Sequence, residues 1–252
     1  MSPRPKQSFA FHADAYALNA SFDRPVSCQI EALAATCLPV IGGHAQACET
    51  DFCVPRLARF KSAHSHVSGS MQNSHTATTQ AITTVLGLNI MDVITADRIV
   101  ARLTSEHDLD DHEGHILAIG STFENLRIAG FTFNIILRHE LLLESKTHAD
   151  LAKKVASLKR NGRIAGATKK DGVILCSLVE KIETDFPGLS DADKKKHIIH
   201  IPHLGTISFA ELLSVEGMKT LTMLRFDLGS PDGGGGTAAA TTVNGKLPPP
   251  TP

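Results

Sequence analysis

The sequence predicts an all-β protein: an antiparallel β-sandwich of about 8–11 strands with one short inserted helix, a β-solenoid being the alternative. Three observations lead there. Apolar and polar residues alternate with period two over most of the chain, as in a sheet with one face on a core. Residues 123–137 contain two such runs joined by Ala129-Gly130, the signature of a hairpin. One stretch, residues 147–162, changes to a helical spacing. No short fixed repeat supports the solenoid.

In chain order, residues 9–17 place Phe9, Phe11, Ala13, Ala15 and Ala17 on one face, with His12, Asp14 and Tyr16 opposite. Residues 62–84 are rich in Ser, Thr and His with little bulk, and read as a loop or an edge strand. Over residues 97–103, Ile99, Ala101 and Leu103 alternate with Arg98 and Arg102. In the hairpin, Leu126 and Ile128 face the core from one run, and Phe131, Phe133 and Ile135 from the other. The helix follows: Leu151, Val155 and Leu158 fall at i, i+4 and i+7. Thr147 caps its start, Asp150 lies in its first turn, Lys159 and Arg160 end it, and Gly162 stops it. Residues 172–179, 197–207 and 218–228 read as further strands. The chain thus divides into a β-rich domain, residues 1–229, with a helical insertion at 148–160, and a Gly/Pro-rich tail, residues 230–252. In the tail, 233–236 read as a hinge, 237–243 as a potential late strand, and 247–252 as disordered.

Composition narrows function. With 25 basic and 26 acidic residues the net charge is -1, whereas general nucleic-acid binders depend on neutralising phosphates. There is no Trp and a single Tyr, so aromatic platforms for sugars or single strands are scarce. No apolar run reaches the ~20 residues of a membrane helix. The first residues lack the apolar core of a secretory signal and the last lack an anchor, so the expectation is a cytoplasmic protein unless an export segment has been removed. Five cysteines are present, Cys28, Cys37, Cys48, Cys53 and Cys176. The odd number forbids complete intramolecular pairing, and the spacings match no zinc ribbon. Reduced thiols, disulfides and a metal knot all remain readings of this set.

Three blocks carry a family resemblance: residues 93–97 (VITAD), residues 120–130 (GSTFENLRIAG) and residues 201–207 (IPHLGTI). In that order they resemble motifs of choice-of-anchor P proteins, bacterial surface proteins whose β-rich bodies carry interchangeable anchoring tails. The resemblance implies a β-rich architecture and a surface setting, and it implies no reaction.

Three segments carry candidate chemistry. His197, His200 and His203 repeat every three residues in KKHIIHIPH; on a strand His197 and His203 share one face and His200 takes the other, so the run alone cannot supply three metal ligands. Lys194, Lys195 and Lys196 beside it read as a solvated turn. The segment EHDLDDHEGH offers His107, Asp108, Asp110, Asp111, His112, Glu113 and His115. It fails the calcium-loop template because Glu113 stands where Gly is needed, which leaves zinc or manganese, or a solvated acidic turn. RHELLLESKTH contains His139-Glu140 without the second His of a zinc-protease helix, and Glu140, Glu144 and His148 align only if the helix is continuous. No nucleophile elbow or phosphate loop is present. The expected function is a non-enzymatic structural or binding module acting through protein partners or self-association, without cofactor. The alternative is a metal-binding protein or metal-dependent enzyme that draws His, Asp and Glu from separate strands.

Overall fold

The computed structural model describes residues 9–160, 167–190 and 197–244. In chain order its elements are β1 (Ala13–Arg24), β2 (Cys28–Leu33), β3 (Thr36–Cys37), β4 (Gly43–Val54), β5 (Ala58–Met71), β6 (Thr76–Ile90) and β7 (Ile94–Asp108). There follow β8 (His115–Leu117), β9 (Thr122–Glu124), β10 (Arg127–Ile128), β11 (Phe131–Leu137), α1 (Glu140–Leu143) and α2 (His148–Arg160). The chain continues with β12 (Thr168–Lys170), β13 (Val173–Ser177), β14 (Val179–Thr184), β15 (Ile198–Ile201), β16 (Gly205–Val215), β17 (Met218–Leu228) and β18 (Gly233–Asn244).

These strands form two nine-stranded antiparallel sheets, an all-β sandwich. The first runs β12-β13-β16-β17-β18-β1-β2, with β15 on β16 and β3 on β1; the second runs β14-β11-β10-β7-β6-β5-β4, with β8 and β9 on β7. The class is the expected one, assembled from more strands. Five of them, β3, β8, β9, β10 and β12, are two or three residues long, too short to leave a periodic trace.

Local chemistry explains the elements that alternation makes legible. Phe9, Phe11, Ala13, Ala15 and Ala17 are buried, as are Ile99, Ala101 and Leu103 of β7. Ala129 and Gly130 both take positive φ, 51° and 85°, the backbone that a two-residue turn between twisted strands needs. Arg127 pairs with Thr132 and Ile128 with Phe131 across it, while Leu126, Ile128, Phe133 and Ile135 are buried. Helix α2 buries Leu151, Val155 and Leu158. Its cap is reciprocal: Asp150 N–H donates to Thr147 Oγ1 at 3.1 Å, and Thr147 O–H donates to Asp150 Oδ2 at 2.9 Å.

Two expectations change. Residues 62–84 are not an edge strand, and only 72–75 are a loop: 62–71 and 76–84 lie in β5 and β6, which are interior strands of the second sheet. Their small side chains are what an inner face uses where sheets approach closely. Ala63, Val67, Ala77 and Ala81 are buried, and Ser65 and Thr83 bond through their hydroxyls at 3.0 Å. Thr83 also reaches Ala240 O of the opposite sheet at 3.4 Å. Residues 233–236 are no hinge, since they open β18, which lies between β1 and β17. A Cβ on Gly234 would stand 2.3 Å from Ser21 O, and one on Gly236 2.6 Å from Asn19 O. Gly234 and Gly236 are there because neighbouring backbone leaves no room for a side chain. The expected disorder at 247–252 and the lysine turn at 194–196 lie outside the described residues.

Alternation also hides a device common to both sheets. In the first sheet Ala210, Met223, Ala239 and Ala17 fall on one transverse row of β16, β17, β18 and β1, all fully buried. On crossing that row the inward positions change parity, from Ala13 and Ala15 to Leu18 and Ala20 in β1, for example. Ala210 and Ala239 have φ of 45° and 54°. In the second sheet the row is Asp51, Lys61, Gly87 and Asp97 of β4, β5, β6 and β7, all facing solvent, with Asp51 at 53° and Gly87 at 66°. A left-handed residue on alternate strands inserts one position and turns the rest of the strand over. Asn125, φ 50°, extends this second row and donates its amide to Asp97 Oδ2 at 2.7 Å.

Candidate functional site

A depression of about 660 Å³ opens at one end of the sandwich between the β7–β8 connection and the start of α2. The chain builds it from turns. Asn73 Oδ1 accepts from the N–H groups of His75 and Thr76 at 2.8 and 2.7 Å, closing the β5–β6 turn. Asp108 Oδ1 accepts from Asp110 N–H at 3.2 Å and its carbonyl from Asp111 N–H at 2.9 Å. Asp is favoured in such turns because its carboxylate substitutes for a backbone acceptor. Glu106, Asp108, Asp111, His112, Glu113 and His115 line the cavity on one side, and Lys146, Thr147 and Asp150 on the other.

Five of the seven EHDLDDHEGH residues therefore meet there. The other two do not line it. His107 turns inward, fully buried, with its ring 5.2 Å from that of Phe9. Asp110 remains exposed on the turn.

Glu113 is the centre of the site, and the fold uses it. One carboxylate oxygen accepts from His148 N–H, the first residue of α2, at 2.8 Å. The other accepts from Gly217 N–H in the β16–β17 turn at 2.7 Å. A carboxylate at a helix start satisfies an otherwise orphaned amide and meets the positive end of the helix dipole. Beneath it lies Lys219, 1% exposed. Burial pushes its ammonium below the usual lysine range, while the charge of Glu113 and then that of Cys176 act in the opposite direction. Burial pushes the Cys176 thiol up to about 12, with Lys219 opposing the shift. His148 Nδ1 bonds Ser214 Oγ at 3.0 Å, and His115 donates its Nε2–H to Leu142 O at 2.9 Å. The carboxylate of α2, Asp150, is held below the usual carboxylate range by its bond to Thr147. Glu113, His115, Thr147 and Asp150 are thus committed to backbone amides, a carbonyl and the helix cap.

The remaining candidates are dispersed. The strand β15 ends at Ile201, so His197 and His203 do not share a face. His197 is buried before the strand, with Nε2 3.8 Å from Glu211 Oε1; His200 is exposed, and His203 sits in a turn with φ 63°. Glu211 belongs instead with Arg225, which donates to it from Nε and Nη2 at 2.7 and 2.8 Å. His139, Glu140, Glu144 and His148 do not align, because α1 ends at Leu143 and α2 begins at His148. Glu144 pairs with Lys154. Among the described residues no three His, Cys, Asp or Glu side chains stand together so as to hold a metal ion. All five cysteines are free thiols: Cys37, Cys48 and Cys53 exposed, Cys28 half-buried, Cys176 buried.

The chain matches the family described as "Domain of unknown function (DUF8256)" over residues 9–164 and 144–215. It belongs to that family. No curated protein and no solved structure matches it. The first DUF8256 segment covers the EHDLDDHEGH turn, and the second ends at residue 215, just before the β16–β17 turn that Glu113 joins. Sequence reasoning missed Lys219, Lys146, Thr76 and Glu106 as neighbours of that turn. Lys219 had no local signal: it lies in an ordinary strand, and its partner Glu113 is about a hundred positions away in the sequence. No helix among the described residues is long and apolar enough to cross a membrane.

Proposed function

We propose that this DUF8256 chain is a non-enzymatic structural or binding module that acts through a protein partner or through association with its own copies. The observation that carries this reading is the use of Glu113. The Glu113 carboxylate in this cleft has both oxygens occupied by backbone amides and its charge set against a buried lysine, so it is a poor candidate for proton transfer or metal ligation. Surface features suit contact with a partner: Val40 and Ile41 lie on the β3–β4 connection, 65% and 92% exposed. The choice-of-anchor P resemblance extends the proposal to a bacterial surface setting. Its three blocks lie in turns and strand starts, and Asp97 of the first is bonded to Asn125 of the second, so their residues serve architecture.

Calorimetric titration of zinc, manganese and calcium into untagged, metal-free protein tests the reading. The expected result is no saturable isotherm. A one-to-one isotherm that disappears in the Asp111→Asn/His112→Gln variant would overturn it in favour of a metal-binding cleft.

A further inference from the structure

Strand β4 is the edge of the second sheet and bonds only β5. It is twelve residues long and largely exposed, so one full row of backbone donors and acceptors lies open, the usual template for strand addition. Two thiols lie on it, Cys48 and Cys53, both exposed. Five positions apart, they would face opposite ways on a regular strand. The left-handed residue Asp51 lies between them and reverses the parity. Before it, Ala45 and Ala47 point inward and half-buried, with Cys48 outward; after it, Phe52 points inward onto Phe60, 5.1 Å between ring centres, with Cys53 outward. Both thiols therefore project from the same outer face.

Within one chain they cannot bond. Five residues of strand span about 16 Å, against a Cα separation of at most about 7 Å in a disulfide. Across a two-fold axis they can. An antiparallel partner strand centred between Thr50 and Asp51 sets Cys48 opposite Cys53 of the partner subunit, and Cys53 opposite the partner's Cys48. Directly opposed residues of antiparallel strands have Cα atoms about 4.5–5.5 Å apart, within the disulfide range. The spacing is self-complementary, and that singles out a second copy of this chain from other strand donors.

We propose that β4 pairs with β4 of a second copy in this register and that two Cys48–Cys53 disulfides lock the dimer in an oxidising compartment. This rests on the self-association arm of the function proposed above and names its surface. The oxidant is a small-molecule disulfide of the oxidised-glutathione class. For each bond, two protein thiols lose their protons and two electrons, one S–S bond forms, and the small disulfide is reduced to two thiols. Glu49 and Asp51 bring like charges to the axis, so the reduced pair associates weakly, and better in salt. The covalent bond makes it persistent.

The test is oxidation of the untagged full chain with oxidised glutathione, read by non-reducing electrophoresis. Wild type is expected to give a species of twice 27.0 kDa. Cys48→Ser alone and Cys53→Ser alone are expected to stay monomeric, because each removes both bonds of a homodimer. An equimolar mixture of the two variants is expected to recover the dimer, through one remaining Cys53–Cys48 pair. Cys28→Ser/Cys37→Ser is expected to behave as wild type. A covalent dimer from either single variant alone, its absence from wild type, or its absence from the mixture overturns the proposal. Both side chains are exposed, and unchanged thermal unfolding of the variants verifies their fold. Failure here leaves the metal titration of the cleft unaffected, so loss of this interface and loss of the binding-module reading are separate results.

Discussion

Replacing Glu113 by Ala is expected to lower unfolding stability by roughly 2–4 kcal/mol, the cost of stranding amides and a buried cation together. His148 N–H and Gly217 N–H lose their acceptor, and Lys219, 1% exposed, loses the carboxylate whose charge favours its ammonium form. Chemical denaturation checks it. Glu113→Gln, which keeps one acceptor oxygen, should lose part of that amount. Lys219→Met placed on Glu113→Ala should restore some of it, because an apolar side chain costs less there than an uncompensated ammonium. A Glu113→Ala protein as stable as wild type would show that the carboxylate is free for other work.

The second large effect belongs to the glycine run. Gly234→Ala is expected to cost roughly 2–5 kcal/mol, combining a backbone clash with a strained φ. The new Cβ would lie 2.3 Å from Ser21 O at a residue whose φ is +128°. Gly233→Ala, one position earlier, meets its nearest atom at 3.5 Å and has no such φ; it should unfold close to wild type. A pair of equally mild variants would return this segment to the status of a linker.

How far the fold was legible depends on which physical rule each segment obeys. Strand β7, the β10–β11 hairpin and α2 combine bulky apolar residues, a clean period and specific turn or cap residues, and all three were readable. Strands β5 and β6 were not, since over residues 62–84 their inward positions are mostly Ala, Ser and Thr, which carry the same period without the contrast in hydropathy that reveals it. The run at 233–236 resembles a linker because composition cannot distinguish glycine chosen for freedom from glycine chosen for close approach. The parity reversals at Asp51 and Ala239 were equally hidden: one left-handed residue leaves the composition unchanged and inverts every later face. For the site, the acidic turn at 107–115 was visible as a cluster, and its role was not. What decides that role is the pair of amides at His148 and Gly217 and the ammonium of Lys219, brought to Glu113 only by the packing of α2 and the β16–β17 turn.

The scaffold role proposed above predicts a protein without resident metal. The most direct measurement is the metal content of untagged protein by elemental mass spectrometry after dialysis in metal-free buffer. Retained zinc, manganese and iron far below one per chain is the expected result. Close to one equivalent of any of them would contradict the account, and His112, His115, His200 and His203 would be the first side chains to substitute.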